Sequence, residues 1–287
     1  MIAVLKHELS GYFHSLTAYI FGAFLLAFVG IGAMIYNIQQ AVANFEYVLN
    51  FVSLVFVVLI PVLTMRVIAE ERKQKTDQLL YSLPITTTQV VVGKYLALLS
   101  VYLLPLCIVS VYPLIFKRYG EVYLLSAYGS IAAFFMMGAA LIAIGTFISS
   151  LTENQGFAAG IAIPVILLNY YSVSLAEHVS KTALGSVVVL CILCCLLGLV
   201  IRFLTKNEMF GIVVSAVMVI ALGITYFFDT SAFEGLLPDI MTRLSLFERF
   251  QTIVSGVFDL TAIVYYLTVI IFFLFLSVQS LEKRRYN

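Results

Sequence analysis

Charge is what this sequence has least of. Asp, Glu, Lys and Arg make up only 11% of its 287 residues, against about 25% in an ordinary soluble domain. A water-facing surface of this size cannot be built from so few, which excludes a soluble globular fold. The net charge of +1 offers no basic surface to nucleic acid. Cysteine is scarce too: Cys107, Cys191, Cys194 and Cys195 lie in apolar surroundings and do not form a disulfide framework. No stretch alternates apolar and polar residues with a period of two, which excludes barrel strands. What is abundant is apolar surface, with 62% hydrophobic residues and a mean hydropathy of +1.08. These are the proportions of a polytopic membrane protein.

The gaps between charges mark the spans. Charge-free windows run over 9–45, 47–65, 95–116, 122–152, 154–176, 182–201, 209–228 and 260–281. Each is long enough to approach the ~20 residues needed to cross ~30 Å of hydrocarbon, and helix is the form that satisfies its own backbone there. The expectation is an all-α polytopic bundle, a single permease-sized domain over 1–287 with eight transmembrane helices. These lie near 18–38, 48–67, 95–116, 126–150, 156–176, 183–203, 209–228 and 261–281. Eight crossings put both termini on one side. Placing that side in the cytoplasm assigns eleven Lys and Arg to inner segments and five to outer ones, in keeping with the positive-inside rule. The first apolar region is longer than a cleaved signal's apolar core, and Glu8 stands in its leader.

Three segments are not simple spans. In residues 1–16, Ile2, Leu5, Leu9, Tyr12, Phe13 and Leu16 recur at steps of three or four, as in an interfacial helix. The outer segment, 229–260, carries an apolar stripe from Phe233 to Val257. It reads as one or two interfacial helices broken near Pro238, either a cap over the bundle or a gate. The segment 68–92 is the most informative. Arg66, Glu70, Glu71, Arg72, Lys73, Lys75 and Asp77 place its first half in water. Leu79, Leu80 and Leu83 then form a small apolar patch. Pro84 disfavours helix at Leu83, and Thr86 with Gln89 has the spacing of a capping box that opens the third span. This is either a solvated loop with an interfacial helix or a lever clamped between two spans.

The run Glu70-Glu71-Arg72, Thr76-Asp77-Gln78-Leu79-Leu80-Tyr81-Ser82-Leu83-Pro84, followed by Gly93-Lys94, resembles the signature of ABC-2-type transporter permeases. That family usually has Gly where this chain has Lys75 and Glu where it has Gln78. The leader from Lys6 to Tyr19 and the tail from Leu244 to Arg285 are similar to the gliding-motility-type branch of that family. The resemblance implies an exporter's permease subunit in the cell membrane. It implies two cytosolic ATPase chains that bind ATP and Mg, and a second permease copy or related chain. It makes residues 70–84 the coupling helix, whose ATPase-contacting residues are Glu70, Glu71, Arg72, Thr76, Asp77, Gln78, Leu79, Leu80, Ser82, Leu83 and Pro84. The leader becomes an elbow helix, and the helix pair near 183–228 an addition to a six-span core.

No chemistry is visible in the chain itself. Its only Gly-Lys pair, Gly93-Lys94, has Thr88 and Tyr95 where a phosphate-binding loop needs glycine and a hydroxyl residue, so any nucleotide is bound by another chain. Cys191, Cys194 and Cys195 share a helix face, but no His or carboxylate stands near them in sequence. His7, His14 and His178 lack a second ligand at helical spacing, so no metal or cofactor is expected here. The expected spans hold no ionisable residue deep inside them to carry a coupling ion, Arg66 lying at a cytoplasmic end, which weighs against the alternative, a secondary transporter or channel-like protein without an ATPase. Asn169, Tyr170 and Tyr171 are the most polar group inside a span. They suit helix–helix hydrogen bonding or contact with a substrate.

Overall fold

The computed structural model describes residues 1–76, 85–179, 181–205, 208–228, 230–256 and 259–285. The expected residues Asp77 to Pro84, including the leucine patch, lie outside them. The described chain is helical, with no strand. Six helices are long and apolar enough to cross a membrane, or seven if one bent pair is counted as a span. It is a multi-pass membrane protein by that measure. The chain divides into two compact units, 1–170 with 249–287, and 171–248.

The first unit starts with α1 (Ile2–His14) and α2 (Leu16–Gly32), which continues as a π-helical segment, Ala33–Gln39. The second expected span, 48–67, is not one straight helix. It is α3 (Glu46–Ser53) and α4 (Phe56–Thr64), followed after a turn by α5 (Ala69–Gln74), with a bend of 60° at the break. Pro61 is the cause within reach of the break. It has no N–H for the Val57 carbonyl, and its ring crowds that carbonyl. The preceding bonds tighten to the i→i+3 type: Val55 N–H to Val52 and Val57 N–H to Leu54. A charge-free window measures length and does not register this.

The third expected span begins earlier than its charge-free window. α6 (Thr87–Val109) opens at Thr86, whose hydroxyl accepts the Gln89 N–H at 3.3 Å. After a turn at Ser110 it resumes as α7 (Tyr112–Lys117), with Pro113 in the first turn. α8 (Leu124–Leu151) is the central helix: 78% of its most apolar window is buried, against 39% or less for α2 and α6. It packs against α4, α6 and the last helix, α14 (Leu260–Arg285). α9 (Gln155–His178) follows α8.

Small residues and aromatic rings make that core. A Cβ at Gly145 would collide with the Thr64 hydroxyl, so glycine is what lets α8 lie this close to α4. Tyr102, fully buried, donates its hydroxyl to the Phe134 carbonyl at 2.8 Å, and the rings of Phe56 and Phe134 meet at 4.5 Å. The outward faces are apolar and bare, as lipid requires: Phe24 and Ile31 on α2, Ile271 and Phe275 on α14.

In the second unit, α10 (Ala183–Thr205) and α11 (Glu208–Phe228) pack on one another. Of these, α11 contains a stretch long and apolar enough to span, Gly211–Phe228, and α10 is apolar over at least Ala183–Cys195. The segment 229–260 forms a 3-10 turn, Ser231–Phe233, then α12 (Leu236–Arg243) and α13 (Leu246–Val254). Its break falls at Leu244-Ser245, not at Pro238. Pro238 sits in the first turn of α12, where its missing N–H has no intrahelical partner to lose.

Candidate functional site

The ends of α1, α4, α5 and α6 meet around one buried cation. Lys94, in the second turn of α6, is 2% exposed. Its Nζ donates to Glu8 Oε1 on α1 at 2.7 Å, to Glu71 Oε1 on α5 at 2.6 Å and to the Val67 carbonyl at 3.1 Å. An ammonium has three protons, and each has an acceptor. Two carboxylates and a carbonyl thus hold one charge that burial would otherwise make costly. The expectation of no ionisable residue within a span therefore needs correcting. The helices run past the charge-free windows, and Lys94 is buried one turn inside α6.

The backbone around Lys94 is shaped for this meeting. A Cβ on Gly93 would stand 3.0 Å from Val4 Cγ1, so a side chain there would press α1 off α6. Tyr12, the buried residue of α1, lies under the same carboxylates. Burial raises its phenol far above its ordinary range, and the charges of Glu8, Glu71 and Glu70 add to this, so it stays protonated. Ser149 of α8 fixes the turn between α4 and α5. Its hydroxyl accepts the N–H groups of Ile68 and Ala69, both at 3.2 Å, and donates to the Met65 carbonyl at 3.2 Å.

α5 ends in a left-handed residue. Lys75 has φ 57°, its N–H bonds the Arg72 carbonyl and the Thr76 N–H bonds that of Glu71. This is the Schellman pattern, in which the left-handed position favours glycine. The glycine that the resemblance leads one to expect here would have a conformational reason, and Lys75 bears strain of about 1 kcal/mol in its stead.

Of the expected coupling residues, Glu70, Glu71 and Arg72 lie on α5 and Thr76 just after it, with Thr76 Oγ1 donating to the Glu71 carbonyl at 3.2 Å. Glu71 turns inward to Lys94, Arg72 is buried, and Lys73 is exposed. Asp77, Gln78, Leu79, Leu80, Ser82, Leu83 and Pro84 fall outside the described residues. Asn169, Tyr170 and Tyr171 follow one another on α9, far along the chain from this cluster, and Tyr171 is exposed. Sequence reasoning missed the ion cluster itself. Its only signal was a lone Lys in the opening turns of an amphipathic-to-apolar helix, with Glu8 and Glu71 each on a neighbouring helix. Among the described residues no group of three His, Cys, Asp or Glu is placed to hold a metal.

Searches of curated proteins and of solved structures returned no match. A family model described as ABC-2 family transporter protein matches residues 5–176, more than half the chain. The match takes in α1, the bent second span, α5 and α6, and with them all four groups of the Lys94 cluster. The chain therefore belongs to the ABC-2 transporter family.

Proposed function

We propose that this chain is the permease subunit of an ATP-driven exporter of the gliding-motility-type branch. It spans the cell membrane eight times, with both termini in the cytoplasm. It works with two cytosolic ATPase chains, which bind ATP and Mg, and with a second permease copy or related chain. The segment that leaves α5 and returns at α6 is the coupling helix, and its leucines Leu79, Leu80 and Leu83 seat in the ATPase.

The observation that supports this reading is the Lys94 cluster. A force applied between α5 and α6 reaches Glu71 and Lys94 first, and through them Glu8 and α1. Three elements then move as a piece, and with them the spans that α1 and α6 lead into. A solvated loop would have no need of a saturated, buried ion cluster at its root.

The test is the double variant Leu79→Asp, Leu80→Asp, carried on tagged permease in native membranes. Desolvating two carboxylates at a docked apolar patch costs several kcal/mol. The wild type should retain an ATPase chain on purification, and the variant should lose it at unchanged permease abundance. Equal retention by both would contradict the coupling role.

A further inference from the structure

At the other end of α2 from α1, three connecting segments of the first unit line a half-open cavity of about 300 Å³. Asn44 and Glu46 come from the start of α3, Tyr123, Leu125 and Ser126 from the start of α8, and Gly256 from the segment before α14. The Glu46 side chain lines it while the residue is only 4% exposed. Among the described residues Glu46 makes no hydrogen bond or ion pair. Its carboxylate keeps contact with water through the cavity, whose wall Asn44, Tyr123 and Ser126 share as neutral polar residues.

We propose that this cavity binds the ammonium group of an amphiphile, with Glu46 as its counter-ion. The sign of charge follows from the lining, which among the described residues has one carboxylate and no Lys, Arg or His. A metal ion is disfavoured, since one carboxylate among neutral groups is a poor ligand set. An ammonium instead needs one charge partner and neutral acceptors for its remaining protons. Lys94 shows an ammonium held in this way elsewhere in the molecule, there by two carboxylates and one carbonyl. The volume is at the small end of ligand sites and suits a headgroup rather than a whole amphiphile. The apolar part has its own contact surface beside the polar floor, for Tyr123 is 79% exposed and Leu125 92% exposed. An ammonium-bearing lipid headgroup and a free alkylammonium present the same chemistry to Glu46.

The chain has no tryptophan, so Leu125→Trp gives a single reporter at the rim. In maltoside micelles, which contain no ammonium, that variant is titrated with decylammonium, decanol and decyl sulfate. Saturable change in emission is expected for decylammonium alone. Glu46→Gln in the same background should weaken it by about tenfold or more, in line with the loss of a charged hydrogen bond, and Glu46→Asp should retain part of it. Thermal unfolding of each variant confirms that it is folded. Displacement of decylammonium by phosphatidylethanolamine, and not by phosphatidylglycerol, would assign the site to a lipid headgroup. Displacement by neither would assign it to the free amphiphile. Equal binding by Glu46→Gln, or equal response to decanol, would overturn the proposal. The readout needs the permease alone, so it is independent of any ATPase.

Discussion

The two ends of the first unit bury charge in opposite ways. Around Lys94 the charge is complete: one ammonium, three acceptors, three helices tied together. Around Glu46 it is incomplete: one carboxylate, on a residue 4% exposed, open to a cavity instead of a cation. Burial alone therefore does not say what a charged group does in a membrane protein. A satisfied ion fixes the elements that supply its partners. One that faces an open cavity ties no elements together and can meet a ligand, whose binding would stabilise the fold.

Substitutions at the two ends should thus differ in size. The largest effect is expected for Lys94→Met, which leaves two carboxylates facing each other with no cation. Removing one partner of a buried pair costs about 3–5 kcal/mol, read as a fall in the thermal unfolding midpoint of the purified permease. Adding Glu8→Gln and Glu71→Gln to that variant should restore a good part of the loss. Midpoints unchanged by Lys94→Met would show that the cluster is decoration. Next in size is Glu46→Gln, which removes an acidic group from the first turn of α3 but breaks no ion pair, so it should cost no more than about 1 kcal/mol. A fall as large as that of Lys94→Met would mean that Glu46 is a structural group like Lys94, and the contrast between the ends would fail. Smallest is Lys75→Gly. It relieves the left-handed strain at the end of α5 against the entropy of glycine in the unfolded chain, for a net gain of up to about 1 kcal/mol. It should leave the Lys94 partners undisturbed.

Much of the fold could be read from where charge is missing, because lipid forces long apolar helices to be uninterrupted by charge. The Thr86 cap could also be read, since it depends on residues three apart. The bend between α3 and α4 could not, because its effect arises one turn away from Pro61 and depends on how α8 receives it. The break after α12 was misassigned to Pro238 for a related reason: a proline ends a helix or begins one according to which turn it occupies. The Lys94 cluster was illegible because its members are 86 and 23 residues apart in sequence. Only the packing of α1 and α5 on α6 makes Glu8 and Glu71 partners of one lysine. Gly93 and Lys94 stood in the family signature as letters, and the structure supplies their reasons: one makes room for α1 and the other holds it.

The central claim is that α1 and α5 move together because Lys94 joins them. It is tested most directly by spin labels at Lys6 and Lys73, both exposed, in a background without the four native cysteines. The distance between them is measured in the permease–ATPase complex with and without ATP. The account predicts one narrow distribution that ATP does not change in the wild type, and a broad, ATP-sensitive one in Lys94→Met. A wild-type distance that changes with ATP, or a Lys94→Met distribution as narrow as the wild type's, would contradict it.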